Sequence, residues 1–380
     1  MTSFSLTAPA RTIFARGSRR DAAAEIARLG KRVLLVRGRS VPWVDDLARD
    51  LGAAGCRVET VWAGGEPTLD AVRQGVAQAR EHRAACIVAV GGGAVIDLGK
   101  ALSGLSVSDG DPGEFLERGD GPARRLEDPL PFVAMPTTAG TGAEATKNAV
   151  IGVPERQAKI SLRDARLVPD LAIVDPALTD GAPRGLTLAT GLDAITQLIE
   201  SYLCNRANPV TDAICRATIP TAIVSLHRLM QNEDAQARDV MARASFLSGL
   251  ALANSGLGIV HGLASVIGGR GAAHGVICGR LLASALTVNA AAVQRRSGET
   301  SRFRDIASWL ATGLDRPIED GFAALRDFVD AHDLPSFENL GLSQTEIESV
   351  ATMARSASST KANPVALDHD EICRVLSDAW

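Results

Sequence analysis

The feature that most constrains this chain is a change of hydrophobic period near residue 180. Before it, short apolar runs alternate with stretches of helical spacing; after it, only the helical spacing remains. The early strands are read at Thr12–Phe14, Arg32–Val36, Arg57–Trp62, Ala85–Val90, Pro131–Met135 and Leu171–Val174, with helices over Val41–Ala54, Leu69–Glu81 and from Gly93 through Leu102. Strands that alternate with helices need crossover connections, which predicts a parallel sheet covered on both faces. Helices are expected at Leu186–Leu203, Pro209–Leu229, Ala235–Asn254, Arg280–Val293 and Ile318–His332, and Asn208-Pro209 offers an N-cap followed by proline at the first helical position. The reading is therefore an α/β domain over 1–180 built on a parallel sheet, joined to an all-α domain over 181–380, with the cleft between them as the default site.

Composition narrows the function. The 40 basic residues against 44 acidic ones give a net charge of −4, so no global positive field exists to hold nucleic acid or an anionic membrane. Six cysteines are scattered without a CxxC pair, as expected of reduced thiols in a cytoplasm. The uninterrupted apolar runs are far shorter than the roughly 18 residues a bilayer span requires. The first acid is Asp21, after several arginines, but Thr12–Phe14 already reads as a strand, so a targeting segment is not favoured.

Two glycine-bearing loops follow strands. Gly91-Gly92-Gly93 opens a helix, where bare backbone and the helix N-terminus suit a diphosphate, although Ile96 stands where a GxGxxG fingerprint has its last glycine. Read alone, it could equally be an ordinary tight turn. The loop Thr137-Thr138-Ala139-Gly140-Thr141-Gly142 adds hydroxyl donors, and two such loops at the ends of strands in one sheet suggest a nucleotide. In the helical half, Asp193 and Gln197 are four apart and share a helix face. Asp193 with His261 and His274 could form most of a divalent-metal site, although each histidine alone is more often a packed core residue.

Five ordered segments, GGGAVIDLGKA, MPTTAGTGAEATKNAV, ATGLDAITQLIE, VHGLASVIGG with AHGV, and KANPVAL, together resemble the iron-containing (group III) alcohol dehydrogenases over nearly the whole chain, from Thr12 to about Leu376. The resemblance implies a Rossmann-like dinucleotide-binding domain over 1–180, a helical metal and substrate domain over 181–380, and an oxidoreductase that transfers a hydride between NAD(P)H and a small aldehyde or ketone, usually as a homodimer. It puts Gly92, Gly93, Ala94 and Asp97 beside the diphosphate and nicotinamide ribose, Thr137, Thr138 and Thr141 around the dinucleotide, and Lys159 near the ribose. It puts the ligands of a divalent metal on Asp193, Gln197, His261 and His274, donors that suit Fe, Zn or Ni, with His261 and His274 the catalytic candidates.

The chain departs from the family pattern at Gln197, where a histidine is usual and an amide oxygen is a poorer ligand, and at Ser265, where many members carry another histidine. The related maleylacetate reductases resemble this fold and are thought to work without metal, so a metal-free version in which an imidazole donates the proton stays open. At the end of the first crossover strand, Arg37-Gly38-Arg39-Ser40 carries Gly38 at the family's acidic position. Arg37, Gly38 and Ser40 are therefore expected at the adenosine ribose, and NADP(H) is favoured over NAD(H). Two alternatives are kept: a lyase of the dehydroquinate-synthase type, for which Arg206 and Arg280 would meet a phosphorylated substrate, and a non-catalytic nucleotide-binding relative.

Overall fold

A computed structural model describes residues 3–117, 124–156, 158–268 and 273–380. The chain packs as two compact units, one of Thr7–Thr138 with Gly142–Thr179, the other of Asp180–Trp380 with Ala139–Thr141 and the segment ending at Leu6.

The first unit holds β1 (Arg11–Phe14), β2 (Arg32–Arg37), β3 (Arg57–Trp62), β4 (Cys86–Gly91), β5 (Phe132–Pro136), β6 (Asn148–Val153), β7 (Ala158–Arg163) and β8 (Leu171–Val174), with helices α1 (Ala22–Leu29), α2 (Val44–Ala53), α3 (Leu69–Glu81) and α4 (Gly93–Leu105). Six strands form a parallel sheet in the order β1-β8-β5-β4-β2-β3. Strand alternation divides its core: Leu34, Val36, Ile87 and Ala89 join α3 and α4 on one face, while Val33, Leu35, Val88 and Val90 join α1 and α2 on the other. Close packing of α4 depends on Gly99, where a Cβ would lie 2.7 Å from both Ala89 Cβ and Phe132 Cε2. The helix-packing role that Ile96 cannot fill thus falls to a glycine three residues later.

The small antiparallel hairpin β6–β7 differs from the sequence expectation, which placed no strands between 136 and 171. Its first strand alternates half-buried and buried residues beside α4, and Val150 N–H donates to Asp97 Oδ2 at 3.0 Å. Its pattern was obscured by the polar Lys147-Asn148 start and the Pro154 turn.

The second unit is helical: α5 (Arg184–Leu203), α6 (Pro209–Gln231), α7 (Ala235–Asn254), α8 (Ile259–Gly268), α9 (His274–Arg296), α10 (Ser301–Gly313), α11 (Gly321–Ala331), α12 (Ile347–Ala354) and α13 (His369–Asp378). Asn208 caps α6 as expected, accepting from Val210 N at 3.1 Å and Thr211 N at 3.2 Å, with Pro209 at the first position. By length and composition alone, α9 could cross a bilayer, contrary to the expectation from uninterrupted apolar runs; α7 and α8 together would also qualify but for a 101° bend. The apolar window of α9 is 78% buried against its neighbours, which explains its composition as that of a core helix.

Candidate active site

At the sheet, the register sets the carboxyl ends of β2, β4 and β5 side by side, with Arg37 opposite Val90 and Gly91 opposite Pro136. Residues 37–40, 91–94 and 137–138 therefore line one edge, the location where open parallel sheets receive nucleotides. Gly92 is the N-cap of α4, and a Cβ there would touch the Thr138 side chain at 3.4 Å, so the two loops are in contact. Thr141 falls in the helical unit, its neighbour Gly140 lying against the backbone of Thr190.

Several expected cofactor residues have other partners. Arg37 is buried, pairs with Asp45, donates to Val41 O at 2.9 Å and lies 4.8 Å from the Trp62 ring, so its charge is already engaged. Gly38 faces open space apart from Val95 Cγ2 at 4.0 Å, and Arg39 and Ser40 are exposed. Lys159 Nζ pairs with Glu66 Oε2 at 2.5 Å. Asp97 is raised to about 6 by burial, which Lys100 partly offsets. Buried Lys100 donates to Thr146 Oγ1 at 2.6 Å and Asn148 O at 3.0 Å, and its pKa falls to about 8 through desolvation.

The helical unit brings together most of the residues expected at a metal site. One face of α5 carries Asp193, Gln197 and, one turn further, Glu200. His261 enters from the first turn of α8 and His274 begins α9. Close backbone approach places both: a Cβ on Gly262 would lie 1.9 Å from Thr360 Oγ1, and one on Gly275 would lie 2.3 Å from Ala189 O of α5. Gly269, the end of the VHGLASVIGG segment, and residues 270–272 lie outside the described residues. The KANPVAL segment acts from behind, Asn363 Oδ1 accepting from Ile259 N at 3.1 Å at the start of α8.

Asp193 Oδ1 lies 3.4 Å from His261 Nε2 and 3.7 Å from His274 Nε2, yet it is buried without a hydrogen bond of acceptable geometry. Gln197 is adjacent but its oxygen is engaged, with Ser248 Oγ donating to Oε1 at 2.6 Å. Ser265 directs its hydroxyl to Gly262 O at 2.8 Å. Arg280, one of the residues considered for a phosphorylated substrate, is committed to Asp330 and the carbonyls of Leu334 and Pro335.

Two members escaped the sequence reading. Buried Glu200 accepts from His261 Nδ1 at 2.6 Å through Oε2 and from Val260 N at 2.7 Å through Oε1, so Nδ1 carries a proton and Nε2 is the ring atom that faces Asp193. Cys278, four residues after His274 on α9, sets Sγ 3.7 Å from His274 Nε2 and 3.9 Å from His261 Nε2. The i, i+7 relation of Asp193 to Glu200 and the i, i+4 relation of His274 to Cys278 were the available signals.

The electrostatics follow from these contacts. Burial pushes Asp193 up, but His274 and His261 outweigh it and hold the carboxyl below its usual range. Burial likewise raises Cys278, and the same imidazoles bring the thiol below its ordinary value. His274 is raised to about 9, chiefly by Cys278, against desolvation; His261 is raised despite its burial by Cys278, Asp193 and Glu200.

The iron-containing alcohol dehydrogenase model matches residues 9–176, and the model of the Fe-containing alcohol dehydrogenase C-terminal region matches 187–380. The chain belongs to the iron-containing alcohol dehydrogenase family. It is an oxidoreductase of that family, with the expected Rossmann-like parallel sheet and helical second half. It is 30% identical to the NAD-dependent methanol dehydrogenase of Bacillus methanolicus, over all of both chains, and 33% identical to the 1,3-propanediol dehydrogenase of Klebsiella pneumoniae, over 92% of each. A crystal structure of 1,3-propanediol oxidoreductase superposes with a TM-score of 0.90 at 30% identity, covering 100% of both chains.

Proposed function

We propose that this family member catalyses reversible hydride transfer between a nicotinamide cofactor and a small aldehyde or ketone, with the substrate oxygen at the Asp193, His261 and His274 centre. The observation that carries this reading is the convergence of those three side chains, from three different helices, around a buried carboxylate oxygen that lacks a hydrogen bond. A carboxylate and two imidazole nitrogens suit the divalent metal the family name implies, and the orphaned Oδ1 has the lone pair such an ion requires. When bound, that ion polarises a carbonyl oxygen and stabilises the alkoxide that develops. Glu200 fixes the His261 ring, while His274, with 37% of its side chain exposed, is the member of the set that a small substrate can reach. Ser265, turned to Gly262 O, offers no relay there.

For the cofactor, Gly92, Gly93 and Ala94 at the start of α4, with Thr137 and Thr138, would receive the diphosphate. Asp97 and Lys159 would lie toward the nicotinamide ribose, and Thr141 belongs to the same reading. The preference for NADP(H) rests on Gly38, where a carboxylate would repel a 2′-phosphate, and on exposed Arg39 and Ser40 rather than on Arg37, which is already paired. The Bacillus relative is named as NAD-dependent, so the ratio of the two cofactors is the measurement of interest. A homodimer and a cytoplasmic setting complete the proposal; six free cysteines support the latter.

The test is to load metal-depleted protein with Fe(II) or Zn(II) and follow NADH and NADPH oxidation against a panel of short aldehydes, ketones and keto acids. One alcohol formed per reduced cofactor consumed is expected. Failure to oxidise either cofactor across the panel, with metal bound, would overturn the assignment.

A further inference from the structure

Gln197 leaves this family member one imidazole short of the usual set, and its side-chain oxygen is held by Ser248. Cys278 of α9 supplies a donor instead. Asp193, His261, His274 and Cys278 each offer one ligand atom, and all four atoms lie within 4.8 Å of one another. Bond lengths of about 2.0–2.1 Å to nitrogen or oxygen and about 2.3 Å to sulfur, arranged tetrahedrally, set neighbouring N and O donors roughly 3.3 Å apart and N and S donors roughly 3.6 Å apart. The corresponding separations here are 3.4 and 3.7 Å from Asp193 Oδ1 to the two Nε2 atoms, and 3.7 and 3.9 Å from Cys278 Sγ to them.

We infer that Cys278 is a metal ligand in this protein, joining Asp193, His261 and His274, so that a thiolate on α9 takes the role that the amide of Gln197 on α5 fills poorly, with the substrate oxygen entering as a fifth donor. The inference rests on the metal-dependent reading of the site given above. Two independent observations support it: the buried Asp193 Oδ1 without a hydrogen bond, and the fully buried Cys278 sulfur whose polar neighbours in the cluster are the two ligand nitrogens. Binding forms the metal–sulfur bond and releases the thiol proton to solvent, with no change of oxidation state. A sulfur donor shifts the preference of the centre toward softer ions, Zn(II) before Mg(II) or Mn(II).

The experiment uses full-length protein, depleted of metal and titrated with Co(II) and Zn(II). The wild type is expected to take up one Co(II) with a sulfur-to-cobalt charge-transfer band in the near ultraviolet. Cys278→Ser, which keeps the side-chain volume, should lose that band and bind Zn(II) on the order of 10–100-fold more weakly. The double variant Gln197→His with Cys278→Ser should recover affinity without recovering the band, which a purely structural role for the thiol would not produce. Circular dichroism of each metal-free variant confirms folding. Stoichiometric Co(II) uptake by the wild type without the charge-transfer band overturns the thiolate assignment and leaves the metal-dependent reading intact. No uptake of either ion overturns both.

Discussion

Replacing Glu200 by Gln exchanges one carboxylate oxygen for an NH2 group and tests how the centre is held. In the native arrangement one carboxylate oxygen accepts from Val260 N at 2.7 Å and the other from His261 Nδ1 at 2.6 Å, with His261 N at 3.3 Å from the same oxygen. A glutamine has one acceptor and one donor end, so one of these buried N–H groups must face an NH2. If the amide oxygen stays with Nδ1, the Val260 N–H is orphaned, which costs about 1–3 kcal/mol. If the amide turns round, His261 must move its proton to Nε2, closing the lone pair that faces Asp193. Either outcome weakens metal binding, by on the order of 10–100-fold, or about 1.4–2.7 kcal/mol. Competition of apo-protein with a chromophoric chelator gives the affinity, and denaturant unfolding of the apo-protein gives the stability term. A Glu200→Gln protein that matches the wild type in both measurements would refute the reasoning, because it would mean that Glu200 neither orients the ring nor satisfies α8.

Three further outcomes follow from other parts of the molecule. Gly38→Asp meets open space, so it should fold normally and lower the ratio of kcat/KM for NADPH over NADH by about tenfold or more, roughly 1.4 kcal/mol; an unchanged ratio would remove the cofactor argument. Gly99→Ala forces a methyl against Ala89 and Phe132 and should cost about 1–3 kcal/mol of stability, read by urea unfolding. Glu144 is raised from 4.5 to about 7 by burial, so its folded form holds a proton that the unfolded chain has released. Its contribution is therefore full below about pH 4.5 and is lost as pH rises through about 7. Wild-type stability should fall relative to Glu144→Gln across that window by on the order of 1–3 kcal/mol, as followed by unfolding at a series of pH values.

The parallel sheet was legible because a strand buried on both faces needs an uninterrupted apolar run, and Cys86–Val90 and Val133–Met135 have one. The hairpin β6–β7 was not, because its half-buried residues carry a weaker alternation and a proline turn. Asp193, His261 and His274 could be named from motif spacing, and the folded chain brings them together. Glu200 and Cys278 could not be singled out, since a glutamate or cysteine on a helix gains its meaning only from what the neighbouring helices set against it. Arg37 shows the converse: its position suggested a free charge for a phosphate, and Asp45, in the first turn of the next helix, had already taken it.

The central claim is that carbonyl reduction takes place at the buried Asp193, His261 and His274 cluster. It is tested most directly by His274→Ala, assayed for steady-state aldehyde reduction and, separately, for cofactor binding by nicotinamide fluorescence. A kcat lowered by on the order of 10²–10³ is expected with cofactor affinity unchanged, since His274 helps build the centre that meets the developing oxyanion and not the dinucleotide site. Turnover equal to that of the wild type would contradict it.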